Sequence, residues 1–272
     1  MKKSKLLPLP YLIWMAIFIL VPLALIIYYS LLKDGQFSLA NYQQFFEPVY
    51  LKVLWRSLKI AFICTAACLL IGYPLAMILS SKRFIRKRYL IFLCILPMWM
   101  NMLLRTYAWM TILERQGVLN SILGLFGVEP IQMLYTSGAV YLGMIYDFLP
   151  FMILPIYSVM VKLDRNLIEA AQDLGANRWQ VFYKVILPKS MGGVISGITM
   201  VFMPAVSTFL ISRLLGGGQY TLIGNLIEKQ FVEVGNWGFG SAVSVLMMIL
   251  ILFSMLIMKR FGKGESVGGG FF

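Results

Sequence analysis

The chain has 272 residues, 60% of them hydrophobic and only 13% charged. A water-soluble domain of this size is roughly half apolar and about a quarter charged, so the composition excludes one and points to lipid as the solvent. The net charge of +13 would suit nucleic acid if it covered a soluble face, but sixteen of the 24 Lys and Arg fall in four clusters at the ends of apolar runs.

A helix needs about 20 mainly apolar residues to cross a hydrocarbon core of roughly 30 Å. Six runs reach that length: 11–32, 54–80, 89–113, 138–161, 192–214 and 239–258. They lack the alternating polarity of barrel strands, so the expected fold is all-α and integral to the membrane, with six spans. The first run follows Lys2, Lys3 and Lys5, as a signal peptide would. It exceeds the apolar core of about 7–15 residues typical of such leaders, and no small-x-small site follows, so it is expected to stay as an uncleaved span.

Residues 37–46 are aromatic and amphipathic enough to lie at the interface. Cys64, Cys68 and Cys94 fall within spans and read as small buried hydrophobes. Pro22, Pro74, Pro97, Pro150, Pro155 and Pro204 also lie in spans, where proline marks kinks that neighbouring helices tolerate. Residues 117–126 form a candidate short helix ended by Gly127. After the break at Gly216, Gly217 and Gly218, the spacing of Leu222, Ile223, Leu226, Ile227 and Phe231 predicts a short outer helix over 220–234. The tail 259–272 is Gly-rich from 262 onward and is expected to be disordered.

The four basic clusters precede span one, separate spans two and three, separate four and five, and follow span six. With them lie only the acids Asp164, Glu169, Asp173 and Glu265. Retention of positive loops on the inner side places both termini, 1–10 and 259–272, in the cytoplasm, with the transmembrane domain over 11–258. The charge therefore orients the chain, and no nucleic acid is expected as a partner.

One connection, 162–188, is patterned unlike the rest. Asn166 followed by Glu169 resembles a capping-box helix start, and Gly175 sits where a helix would end in a left-handed turn. Asn177 can cap a second helix that Pro188 would limit. The expectation is two short helices projecting into the cytoplasm, the first with Ala170 and Ala171 on a face small enough to enter a groove on another protein.

Read together, Glu169-Ala170-Ala171, Gly175, and, after nine intervening residues, Val185-Ile186-Leu187-Pro188 resemble the cytoplasmic signature of permease subunits of bacterial ABC importers. The pattern there is Glu-Ala-Ala, three residues, Gly, nine residues, then Ile-x-Leu-Pro; Val185 replaces the usual isoleucine. The resemblance extends over most of the chain toward the polyamine (spermidine/putrescine) members, most strongly at 39–62, 96–109, 169–197, 204–231 and 236–242. It implies the six-helix type I (MetI-like) permease fold and a second, related permease chain as partner. It further implies a homodimer of ABC ATPase subunits, which would bind ATP and Mg, and an extracytoplasmic polyamine-binding protein. The location it implies is a bacterial cytoplasmic membrane. It also implies that Glu169, Ala170, Ala171, Gly175, Leu187 and Pro188 couple to the ATPase.

The chain carries no G-x-x-x-x-G-K-[ST] loop for nucleotide phosphates, no histidine, and no cysteine/histidine cluster for a metal. With no nucleophile beside a base, it reads as a non-enzyme whose energy comes from elsewhere. An autonomous carrier or channel is a rival reading, as is the same architecture carrying sulfate, iron, thiamine or another small solute.

An ionisable residue inside a span is a functional candidate because burying it in lipid is costly. Asp147 is the acid well inside span four, flanked by Tyr146 and Phe148. A carboxylate beside aromatic faces suits a polyamine, through charge compensation and cation–π contact. The alternative is an ion pair with Arg105 or Arg213 that holds helices together. Trp99, Tyr107 and Trp109 in span three, and Thr208 and Phe209 after Pro204, are further candidates for the path; interfacial aromatics also serve as belt residues.

Overall fold

The computed structural model describes residues 9–33, 35–81 and 89–261. Expectations for the basic N-terminus, the cationic connection 82–88 and the tail from 262 fall outside the described residues. Among the described residues, five helices are long and apolar enough to cross a membrane, and a further apolar pair of helices is bent by 93°.

Span one joins α1 (Leu9–Met15) to α2 (Val21–Ser30) through a π-helical turn, Ala16–Leu20. A two-residue antiparallel ladder, β1 (Leu32–Lys33) with β2 (Gln36–Phe37), then turns the chain into α3 (Ala40–Phe45). Asn41 fastens this corner by donating to the carbonyls of Ser30 (3.3 Å) and Leu32 (2.8 Å). Span two is α4 (Pro48–Leu79), 32 residues long. It starts six residues before the apolar run does, since Pro48 at the first turn is preset for a helix.

The third apolar run is not the single rod expected over 89–113. It forms α5 (Tyr89–Trp99) and α6 (Met102–Leu113), the latter followed by α7 (Val118–Leu125). The cause is Asn101, whose extended backbone and side-chain acceptor for the Leu103 N–H (2.8 Å) start a new helix within the apolar stretch. Span four is α8 (Ser137–Val161), capped by Thr136.

A helical hairpin, α9 (Arg165–Asp173) and α10 (Arg178–Val181), leads through a π-helical turn into α11 (Leu187–Ser207). The expected span 192–214 is corrected accordingly. One continuous helix of 30 residues runs from Arg178 to Ser207, then Thr208 turns extended and a separate helix follows, α12 (Leu210–Leu215). Hydropathy marked only the apolar part of that rod. The outer helix appears as α13 (Ile223–Glu228) with a π-helical turn Lys229–Val234, and span six is α14 (Trp237–Phe261), extending two residues before and three beyond its apolar run.

The core lies where α4, α8 and α11 pack together. Lipid provides little hydrophobic drive between helices, so close backbone approach through small residues takes its place. Ala61, Cys64, Cys68 and Ala76 on α4 are fully enclosed, whereas Cys94 on α5 is only half-buried. A Cβ on Gly193 would sit 2.8 Å from the Pro155 carbonyl oxygen, and one on Gly72 would lie 3.1 Å from Met152 Cγ. α14 closes the other side against α2 and α3. The outer helix α13 is tied to the core by the buried Ile223 N–H, which donates to Ser57 Oγ on α4 at 2.8 Å.

Candidate coupling hairpin and substrate path

The hairpin is built from local signals. Its first helix begins at Asp164, whose carboxylate accepts the Asn166 N–H at 3.0 Å. Asn166, the expected start, is already helical: the carboxylate two residues upstream takes the capping role at the positive helix end. Gly175, at φ +83°, ends α9 as expected. Its N–H bonds the Gln172 carbonyl (2.8 Å) and the Ala176 N–H bonds that of Ala171 (3.0 Å), the two bonds of a Schellman turn. Asn177 and Gln180 then exchange side-chain-to-backbone bonds of 2.9 Å each and start α10 with a full capping box.

Pro188 does not end that second helix. Proline lacks an N–H and crowds the carbonyl one turn back. The chain widens into the π-helical turn Phe182–Ile186, with the Leu187 N–H reaching back to the Phe182 carbonyl, and Pro188 enters the first turn of α11 without a break. At this base Phe182 meets Tyr73 of α4 edge-on at 5.8 Å, and the Tyr73 and Ser190 hydroxyls share a buried 2.9 Å hydrogen bond.

Glu169 lines a groove with Ile168 and Ile186 of the hairpin segment, Met77 in the last turn of α4, Ser80 just past its end, and Met160 of α8. The hairpin thus borders the ends of α4 and α8 and runs on into α11. Its other side is bare: Leu174 is 89% exposed and Trp179 71%, with Leu167 and Tyr183 also exposed. Ala170 and Pro188 are exposed, while Ala171 and Leu187 are half-buried.

The path candidates separate into three places. Asp147 on α8 is 4% exposed and faces Arg105 on α6, with Asp147 Oδ1 3.3 Å from Arg105 Nη1. The other named arginine, Arg213, pairs instead with Glu228 near the surface. Beside the buried pair, Tyr146 packs edge-on against Trp109 at 5.4 Å. Trp99 and Tyr107 are not part of this cluster; both are exposed, Trp99 at the end of α5 just before the bend.

Thr208 and Phe209 form the break between α11 and α12. The Phe209 carbonyl accepts from Asn225 Nδ2 (2.9 Å) and from the Ser212 hydroxyl (3.0 Å), and that hydroxyl also lies 2.6 Å from Asn225 Oδ1. Ser57, Ser212 and Asn225, which hold this outer corner, went unnoticed in the sequence. Their one signal is polarity beside a glycine break, which many loops share.

Residues 69–266 match the family described as "Binding-protein-dependent transport system inner membrane component". The "Spermidine/putrescine transport system permease protein PotB" of Haemophilus influenzae is 42% identical over 259 residues, covering 92% of this chain and 91% of that one. The protein of the same name from Escherichia coli K12 is 40% identical, covering 91% and 93%.

Among solved structures, a bacterial ABC transporter involved in import of the acidic polysaccharide alginate aligns with a TM-score of 0.74 at 19% identity, over 94% of each chain. An inward-facing form of the MetNI methionine ABC transporter aligns with a TM-score of 0.55 at 20% identity, over 78% of this chain and 94% of that one. At those identities the structural likeness speaks for the fold alone. A multi-pass helical architecture, a matching stretch of nearly 200 residues and relatives at 40–42% identity agree: the chain belongs to the binding-protein-dependent transport system inner membrane component family.

Proposed function

We propose that this chain is one of two permease subunits of an ATP-driven polyamine importer, forming half of the path for spermidine and putrescine across the cytoplasmic membrane. The single observation that carries the reading is identity of 40–42% to two spermidine/putrescine permeases over more than nine-tenths of the chain. The expected partners are a related permease, a homodimer of ATPase subunits that binds ATP and Mg, and an external polyamine-binding protein. Both termini and the hairpin lie on the cytoplasmic side, where the basic clusters would hold them.

In this reading the ATPase supplies the energy and the hairpin receives it. Leu174, Trp179, Tyr183 and Leu167 present an exposed apolar surface outside the lipid, which is characteristic of a protein-binding site. Glu169, Ala170, Ala171 and Gly175 shape the first helix and its turn, and Leu187 and Pro188 stand where the second becomes span five. A shift of the docked hairpin is passed on to α4, α8 and α11, and the path opens on alternate sides. Asp147, with Tyr146 beside it, is the proposed contact for the passing ammonium groups; Trp99, Tyr107, Thr208 and Phe209 are proposed to line the path further along.

The test is ATP-dependent uptake of labelled spermidine by the reconstituted four-component complex. Uptake that needs the ATPase and is blocked by excess putrescine supports the reading. ATP hydrolysis without polyamine uptake points to another solute, and uptake without the ATPase to an autonomous carrier. Glu169→Lys should abolish ATPase association or its coupling to uptake; a variant with both intact would overturn the hairpin's role.

A further inference from the structure

We propose that Arg105 is an exchangeable occupant of the Asp147 site: a tethered guanidinium that neutralises the carboxylate while the path is closed and leaves when a substrate ammonium takes its place. The inference rests on the polyamine reading and assigns a residue that reading does not use.

Three observations carry it. First, the pair is enclosed, its side chains 8% and 5% exposed on α6 and α8. An unpaired buried charge is strongly destabilising, so Asp147 needs a cation whenever the site is shut.

Second, the pair is poorly made for a permanent fastening. An arginine that locks two helices grips a carboxylate with two parallel hydrogen bonds of about 2.7–2.9 Å. Here the contact is 3.3 Å, and Arg105 Nε, Arg105 Nη1 and Asp147 Oδ1 are all buried without a hydrogen-bond partner among the described residues. The attraction is therefore mostly charge. A primary or secondary ammonium can match that charge and add the missing hydrogen bonds.

Third, Arg105 lies in the first turn of α6, immediately beyond the 93° bend at Met100–Asn101. The short helix that bears it can pivot about that break, whereas Asp147 sits within the 25-residue α8 at the core. Tyr146 and Trp109 stand beside the site, where their faces can take over contact with a polyamine stem as the guanidinium withdraws.

A fixed structural pair and an exchangeable one respond differently to substrate. In the purified complex, Arg105→Gln should melt below the wild type because Asp147 loses its cation. Millimolar spermidine, compared with NaCl at equal ionic strength, should restore most of that deficit. Asp147→Asn should gain nothing from spermidine. The charge-swapped double variant Arg105→Asp/Asp147→Arg should keep the complex assembled but lose at least about tenfold of spermidine uptake per complex, since the fixed helix then presents a cation.

No rescue of Arg105→Gln, equal rescue of Asp147→Asn, or a swap that restores uptake to near wild type would each overturn the proposal in favour of a structural pair. Should the swap fail to assemble, the two single variants still decide. Wild-type uptake measured alongside tests the polyamine reading separately: spermidine uptake without rescue sinks the exchange alone, and absence of spermidine uptake sinks the substrate.

Discussion

Three glycines on α11 lie within six residues of one another and should respond to alanine in a fixed order. At Gly193 a new Cβ would meet the Pro155 carbonyl oxygen at 2.8 Å and Ile156 Cα at 3.0 Å, both backbone atoms of α8. Carbon–oxygen contacts ordinarily close to about 3.3–3.6 Å, so the two helices must part by roughly half an ångström. Overpacking of this kind costs about 1–3 kcal/mol. At Gly197 the nearest atom is the flexible Met152 Sδ at 2.7 Å, with the Met152 carbonyl at 3.2 Å, and the site can yield in part. At Gly192 nothing lies within 4 Å. All three variants gain the same helix propensity, about 0.8–1 kcal/mol, which cancels when they are compared with each other.

Melting of the purified complex in nanodiscs should therefore rank Gly192→Ala above Gly197→Ala above Gly193→Ala. At about 2–4 °C per kcal/mol for a chain of this length, Gly192→Ala and Gly193→Ala should differ by roughly 2–12 °C. Equal midpoints for those two would refute the claim that backbone contact between α8 and α11 holds the core together.

Two further outcomes follow from single sites. Gly175→Ala places a side chain at φ +83° with open space around it, so the cost is backbone strain alone, about 1–2 kcal/mol. Amide exchange at residues 175 and 176 should quicken by about tenfold while the assembled complex keeps its melting point; unchanged exchange would mean the turn is held by something other than its glycine. Ser57→Ala deprives the buried Ile223 N–H of its acceptor, a loss of about 1–3 kcal/mol. Protease sensitivity should rise in the 220–234 segment before the rest of the chain unfolds, and uniform sensitivity would argue against local fastening.

The hairpin was the most legible part of the sequence because its geometry is local. Gly175, Asn177 and Gln180 act on backbone groups within a few residues, and such signals survive any tertiary setting. The helix starts at Asp164, not Asn166, since two plausible caps stood close together and the carboxylate took the role. Pro188 misled because its usual effect assumes an α-helix, and one widened turn removes the conflict. The bend in the third apolar run was hidden for a related reason: hydropathy averages over a window, and a single asparagine cannot lower the mean enough to mark a bend. Asp147 was visible as a costly charge, but its partner was not, because Arg105 and Arg213 were equally eligible until the fold placed one beside it and turned the other toward Glu228.

The unbroken helix from Arg178 to Ser207 has a mechanical consequence. Thirty residues at 1.5 Å each make a lever about 45 Å long, with the hairpin at one end and the Thr208–Phe209 break at the other. A tilt of only 5° about its midpoint would swing each tip by about 2 Å in opposite directions. Its fulcrum would be the Gly193–Gly197 contact with α8, and the stroke at the far end would be set by where along the rod that fulcrum sits.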